Sequence, residues 1–335
     1  RDTSHCLVGS VLCIRDRGTY MPTETDDRTV SIVMREGVDI YGGFKGNEAE
    51  KSDRNSGKNI TILSGDIGMP GNNCDNSYHV VIGADEAEID GFVITGGNAN
   101  GKLYYSKGGG MVNYAFVEMT GNPFGTPLGF ATRVTNCTFT NNYAFEGGAM
   151  YNYDRKKAVI SGCVFEENSA EFGGAIVDRV GADSIVSDCT FRGNYAKWCG
   201  GAYYADYGSW PNISNSIFIE NSTDGNGGAM YMLSRASQLD ETSPTLTGCT
   251  FKGNSAGKRG GAIANYDKCI LTVNTCQFTD NYAGLGGGAI SNDLRTDAVI
   301  TACKFSGNKA DQGEPDIDTD ESSEVAISEY SGKII

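Results

Sequence analysis

The chain has 335 residues, with 27 Lys and Arg against 42 Asp and Glu, a formal net charge of −15. A field of that sign repels phosphate, and no basic cluster reaches the size of a nucleic-acid footprint, so nucleic acid is not expected as a partner. No apolar run approaches the roughly 18 residues of a membrane span, and the only two histidines, His5 and His79, stand in no metal-ligand spacing.

From the N-terminus, residues 1–20 read as a cap, with Cys6 and Cys13 close enough in sequence to close it by a disulfide. Residues 38–44 and 60–66 read as early strand-and-corner units, and 92–99 as an approximate repeat. Gly108, Gly109, Gly110 and Met111 begin a regular array. Phe-x-x-Asn then recurs seven times: Phe139/Asn142, Phe165/Asn168, Phe191/Asn194, Phe218/Asn221, Phe251/Asn254, Phe278/Asn281 and Phe305/Asn308. The Phe-to-Phe spacing is 26, 26, 27, 33, 27 and 27 residues, and the first six copies are each followed by Gly-Gly-Ala and then Met, Ile or Tyr. Residues 311–335 are rich in Asp, Glu and Ser, and 321–335 read as a C-terminal tail or cap.

A fixed period of this length means a solenoid, in which each unit buries its apolar side against its neighbours. Helix-length amphipathic segments are missing, and a propeller blade would need about 40 residues. The units read instead as strand, corner, strand, corner. An aliphatic residue stands three before Cys and Phe two after it, as in Ile160, Cys163 and Phe165. Cys and Phe two apart share a strand face, whereas the odd spacing before Cys implies a bend. The predicted fold is all-β, a right-handed parallel β-helix of about 11–12 coils stacked at roughly 4.8 Å over residues 21–320. Phe, Cys and Ala columns should fill its interior, with the Asn column turned inward to bond the corners and one another. Six of the 11 cysteines sit in the Cys column, with Ser216 in the missing place, and read as packed free thiols. No Cys-x-x-Cys occurs, which argues against zinc and thiol-redox chemistry.

Phe-x-x-Asn paired with Gly-Gly-Ala-Ile/Met resembles the repeats of chlamydial polymorphic outer membrane proteins and related bacterial right-handed β-helix surface proteins with the pectin-lyase-like superfold. Residues 17–20, 40–46, 61–67 and 89–98 resemble the opening of that wider group. The resemblance covers roughly residues 17–318. It implies a secreted or bacterial cell-surface protein, often adhesive, with a glycan or a host or cell-surface receptor as partner. The superfold also houses polysaccharide lyases and hydrolases, so the fold by itself does not choose between them.

Repeat lengths point to one place for a ligand. From the last residue of each Gly-Gly-Ala-x to the next Phe is 15 residues in most coils, but 28 from Met111 and 21 from Met230. These insertions, near 112–134 and 231–246, leave the same corner four coils apart, roughly 19 Å, and should wall a trough. Its expected floor carries Tyr151, Tyr153, Tyr204, Tyr207 and Trp210 for stacking on sugar rings, beside charged Asp154, Arg155, Lys156, Asp178, Arg179 and Asp206. An enzyme alternative uses the same floor: Asp154, Asp178 and Asp206 as a glycosidase carboxylate pair at roughly 5–9.5 Å, or Asp178 with Arg179 or Lys156 and Ca²⁺ in a lyase. A third alternative is a spacer without a ligand. Ca²⁺ is the one cofactor with candidate ligands, at Asp66, Asp316 and Asp318; otherwise none is expected, and the chain should be a monomer.

Overall fold

One turn of chain shows how the repeat folds. Lys157–Ser161, Val164–Glu166, Ser169–Phe172 and Ile176–Arg179 are four short strands. Each pairs in parallel with its equivalents in the coils before and after. This computed structural model describes residues 5–6, 12–48, 50–113, 130–154, 157–234 and 243–328, with backbone alone at 5–6, 12–15 and 130–131. In these residues the strands stack into four faces of 12, 10, 8 and 10 strands. The chain is a parallel β-helix.

The corners follow from residue type. Between the first and second faces one residue per coil takes a left-handed conformation: Asn136, Gly162, Asp188, Asn215, Gly248, Thr275 and Ala302, with φ from 49° to 65°. That is the bend implied by the odd spacing before Cys. Asn, Asp and Gly enter the left-handed region most cheaply, which is why they dominate the column. Between the third and fourth faces the corner is the Gly-Gly pair. A Cβ on Gly148 would lie 2.3 Å from the carbonyl oxygen of Gly174 in the next coil, so backbone packs on backbone there.

Register places like on like inside. Phe139, Phe165, Phe191, Phe218, Phe251, Phe278 and Phe305 are consecutive partners on the second face. Their rings stack at 4.5 to 5.1 Å, all within 9° of parallel.

The Asn column is also buried, from Asn142 through Asn168, Asn194, Asn221, Asn254 and Asn281 to Asn308. Asn168 Nδ2 donates to the Phe139 carbonyl at 2.9 Å and to Asn194 Oδ1 at 3.1 Å, and the same oxygen takes the Asn168 backbone N–H at 3.1 Å. Asn254 repeats this with the Phe218 carbonyl and Asn281 Oδ1, both at 2.9 Å. Asn281 does so with the Phe251 carbonyl at 3.0 Å and Asn308 Oδ1 at 2.9 Å. The two end rungs depart from the expected Asn-to-Asn pattern, because one neighbour is missing at each. At the equivalent places the coil before Asn142 has Ile94 and Gly97 rather than Phe and Asn. Asn142 Nδ2 donates instead to the Ile94 carbonyl at 3.0 Å, and its Oδ1 takes the Gly97 N–H at 3.0 Å. Asn308 has no Asn after it, and its Nδ2 meets Asp316 Oδ1 at 2.9 Å. All seven are therefore structural, each spending its amide on neighbouring coils.

In the Cys column the backbone N–H of Cys137, Cys163, Cys249 and Cys276 points at the next sulfur, at 3.4 Å from Cys137 to Cys163; Ser216 Oγ takes that place for Cys189 at 3.2 Å. The six column cysteines, with Cys74 and Cys269, are free thiols.

The ends differ from expectation. The eight-strand third face limits turns with all four strands to eight, and the regular solenoid is about nine coils, not 11–12. The early turns have three faces, because 21–31 and 65–80 pass the third side as loops and turns. At the N-terminus, His5–Cys6 pairs antiparallel with Leu12–Asp16 and closes the edge of the first face. Cys6 stands opposite Cys13 in that register; the disulfide itself concerns side chains outside the described residues. At the other end Glu324–Ser328 continues the first face as one more parallel strand, where a tail or cap was expected from 321. Both insertions fall largely at 114–129 and 235–242, outside the described residues, as do Arg155 and Lys156.

Phe191→Ala removes a fully buried ring stacked on both sides. It should cost about 3–5 kcal/mol in a urea melt. Asn194→Ala strips partners from the Phe165 carbonyl and from Asn168 and Asn221, and should cost about 2–4 kcal/mol. A parent-like midpoint for either variant would contradict the interior ladders.

Candidate functional site

Alternation along the fourth-face strands sorts residues between interior and surface. In Met150–Tyr153, Met150 and Asn152 turn inward, and Tyr151 and Tyr153 outward. The next coils bring Val177 and Arg179, then Tyr204 and Asp206, then Tyr231 and Leu233 to the outer positions. The Gly-Gly corner draws the third and fourth faces together. Tyr151, Val177, Tyr204 and Tyr231 therefore pack with Phe172 and Cys199 as a second apolar cluster outside the cylinder. Phe172 meets Tyr204 edge-on at 5.6 Å, and Tyr204 stacks on Tyr231 at 5.7 Å. Tyr151 and Tyr204 are thus buried in this seam rather than laid open as platforms.

A chain of charges runs along the seam. Glu146 Oε1 takes Lys107 Nζ at 2.8 Å and Arg179 Nη1 at 2.5 Å. Arg179 Nη2 lies 4.0 Å from Asp206 Oδ2, which accepts the Tyr204 hydroxyl at 2.8 Å. Burial alone would raise the Glu146 carboxyl, but Arg179 and Lys107 outweigh it and hold it below the usual range. Burial pulls the Lys107 ammonium down, against the support of Glu146. The Tyr151 phenol is pushed well up, first by burial and then by Glu146. Arg179 also lies over the Tyr207 ring, 5.1 Å from its centroid.

Where this seam meets the 3₁₀ turn Leu103–Ser106 there is a cavity of about 570 Å³. Tyr104, Tyr143, Phe145, Tyr151 and Tyr153 supply its aromatic lining; Lys107 and Asn100 supply polar groups. The Tyr151 and Tyr153 rings stack at 6.0 Å, and Lys107 Nζ lies 5.4 Å from the Phe145 ring and 5.7 Å from that of Tyr151.

Of the residues expected on one floor, the structure brings together only some. Tyr151 and Tyr153 line the cavity, and Arg179 and Asp206 join the charge chain beside it. Tyr207 and Trp210, 41% and 40% exposed, lie past the end of the strand and do not line it. Asp154 is an exposed left-handed corner residue with φ 58°. Asp178 is a correction: it faces the interior with no exposure, in line with Asn152 on one side and Ala205 on the other. Its Oδ1 accepts Asn152 Nδ2 and Ser184 Oγ, both at 2.8 Å; its Oδ2 accepts the Ser184 N–H at 3.2 Å and the Tyr203 hydroxyl at 2.6 Å. Asp178 and Asp206 therefore lie on opposite sides of one sheet and form no carboxylate pair.

The calcium candidates are taken by protein donors. Asp66 accepts the Gly71 N–H, Asp316 accepts Asn308 Nδ2, and Asp318 accepts Arg259 Nη1. Among the described residues no group of three His, Cys, Asp or Glu gathers to hold a metal.

Lys107, Glu146, Tyr104, Tyr143 and Phe145 were missed. A signal existed: the residue before each Gly-Gly is Lys107, Glu146, Phe172, Cys199, Asn226, Arg259 and Gly286 in turn. A column so varied among constant ladders is not set by the interior.

A family model described as a right handed beta helix region matches residues 79–305. The chain belongs to that family. No curated protein and no solved structure matches it. In this right-handed β-helix no helix among the described residues is long and apolar enough to cross a membrane.

Burial pushes the Asp178 carboxyl up to about 6, above the roughly 3.9 of an unfolded Asp. The folded state then holds the proton more tightly. The stability this group contributes is fully present below about pH 4 and is lost as pH rises through about 6. Urea melts should therefore show the parent losing stability relative to Asp178→Asn as pH rises from about 4 to about 7. A pH-independent difference would mean that Asp178 titrates normally.

Proposed function

We propose that this chain is a secreted or bacterial cell-surface binding protein that acts as a monomer and holds a glycan in the cleft beside Leu103–Ser106. One observation carries the reading: five aromatic side chains and Lys107 converge on a cavity of about 570 Å³ at the seam of two faces. Aromatic faces with hydroxyl and ammonium groups at their edges suit a sugar ring, which is apolar on its faces and polar at its rim. The resemblance of the repeats to chlamydial polymorphic outer membrane proteins supports surface display and leaves a receptor glycoprotein as one source of the glycan. The polysaccharide-cleaving alternative has less support, because the acids named for it do not converge.

A glycan array probed with the intact chain tests the reading. Tyr104 and Phe145 are exposed at the cleft, so Tyr104→Ala and Phe145→Ala should fold normally. Each should weaken the best hit by about 1–2 kcal/mol, on the order of tenfold in Kd. Trp210→Ala, outside the cleft, should leave it unchanged. Binding lost in the Trp210 variant and kept in the other two would move the site to the end of the strand.

A further inference from the structure

The charges around the cleft narrow the kind of glycan it takes. Among its described lining residues Lys107 is the one charged group, and no carboxylate lines it. That ammonium is already balanced. Glu146 holds both Lys107 and Arg179, and Asp206 stands beside Arg179. Along the seam the signs run plus, minus, plus, minus, and sum to zero. Glu146 is only 5% exposed, and both cations bind Oε1; Oε2 is buried and takes no hydrogen bond.

An acidic ligand would meet this arrangement badly. To pair with its carboxylate, Lys107 or Arg179 would have to leave Glu146. That would strand a buried carboxylate which already lacks a partner on one oxygen, the costly way to break a buried ion pair. The rest of the molecule adds a net charge of −15 that repels anions. A neutral sugar asks for none of this. Its hydroxyls accept from ammonium hydrogens that Glu146 does not use and exchange bonds with tyrosine hydroxyls, while its ring stacks on the aromatic lining.

We infer that the cleft selects an uncharged, hydroxyl-rich saccharide over an acidic one, and that Glu146 sets this selectivity by neutralising Lys107 and Arg179. The inference rests on the reading of the cleft as a glycan site. Isothermal titration of the full chain tests it, with hexamers of glucose, mannose and N-acetylglucosamine set against hexamers of galacturonate and mannuronate. A neutral hexamer should bind at least about tenfold tighter than either acidic one, with an affinity that high salt leaves unchanged. Glu146→Gln uncovers one positive charge and should raise the affinity for an acidic hexamer, with a new salt dependence. Tighter binding of an acidic hexamer to the parent, lost in Phe145→Ala, would overturn the selectivity and leave the glycan site standing. No binding by any hexamer would overturn both. A folded Glu146→Gln variant with unchanged discrimination would remove Glu146 from the account; if that variant does not fold, the parent's preference and its salt response decide.

Discussion

The Asn-to-Asn hydrogen bond between successive coils is the interaction on which the rest depends. A β-helix with an apolar interior must turn its backbone at every corner, and a turn leaves carbonyl and N–H groups without strand partners. Each Asn answers both needs. From Asn168 to Asn281 its amide nitrogen reaches the Phe carbonyl of one neighbouring coil and the Asn oxygen of the other, and its own oxygen takes a backbone N–H. Once that amide is fixed, the Phe three residues earlier has one place to go. The Phe rings then stack at strand spacing, and the small Ala and Cys columns fill what remains.

Such self-stacking makes the interior tolerant of repetition and intolerant of mixture. A lone Phe or a lone buried Asn would be a poor fit, whereas a column of either satisfies itself. Asp178 shows the same logic with a different residue. It stands in a column that has Asn at 113, 152, 265 and 292 and accepts four hydrogen bonds where an amide could not accept them all. Asn113 and Asn152 above it are bonded into the same chain. Its raised affinity for a proton follows from that interior position rather than from chemistry at the surface.

The surface obeys a different constraint. Where the Gly-Gly corner folds the third face toward the fourth, outer side chains from two faces meet, and their identity is not set by the core. That seam collects Lys107, Glu146, Phe172, Arg179 and Asp206 next to the tyrosines. Constancy inside and variety outside come from the same geometry. Interior neighbours are copies of one another, and seam neighbours are not.

The repeat was legible in the chain because stacking forces identical residues to recur at the coil period: the Phe, Asn, Cys and Gly-Gly columns could be read as ladders, and the bend before Cys could be placed, without a structure. The number of full coils was less legible, since early turns replace third-face strands with loops that carry no repeat motif. The first rung of the Asn ladder was legible but its partners were not, because Asn142 bonds Ile94 and Gly97 in a coil that has neither Phe nor Asn at those places. The trough was only partly legible. Composition marked the stretch from Tyr151 to Trp210 as aromatic and charged, but the side of the sheet each residue faces depends on register, and one step separates Asp178 inside from Arg179 outside. The groups that meet that stretch, Lys107 and Glu146, stand before it in the chain, two coils and one coil away from Arg179 and at the facing third side. Local order thus determined what each coil is made of; only the stacking and folding together of two faces decided which coils' side chains meet, because the register that turns one of two adjacent residues inward, and a contact through space, leave no mark in linear sequence.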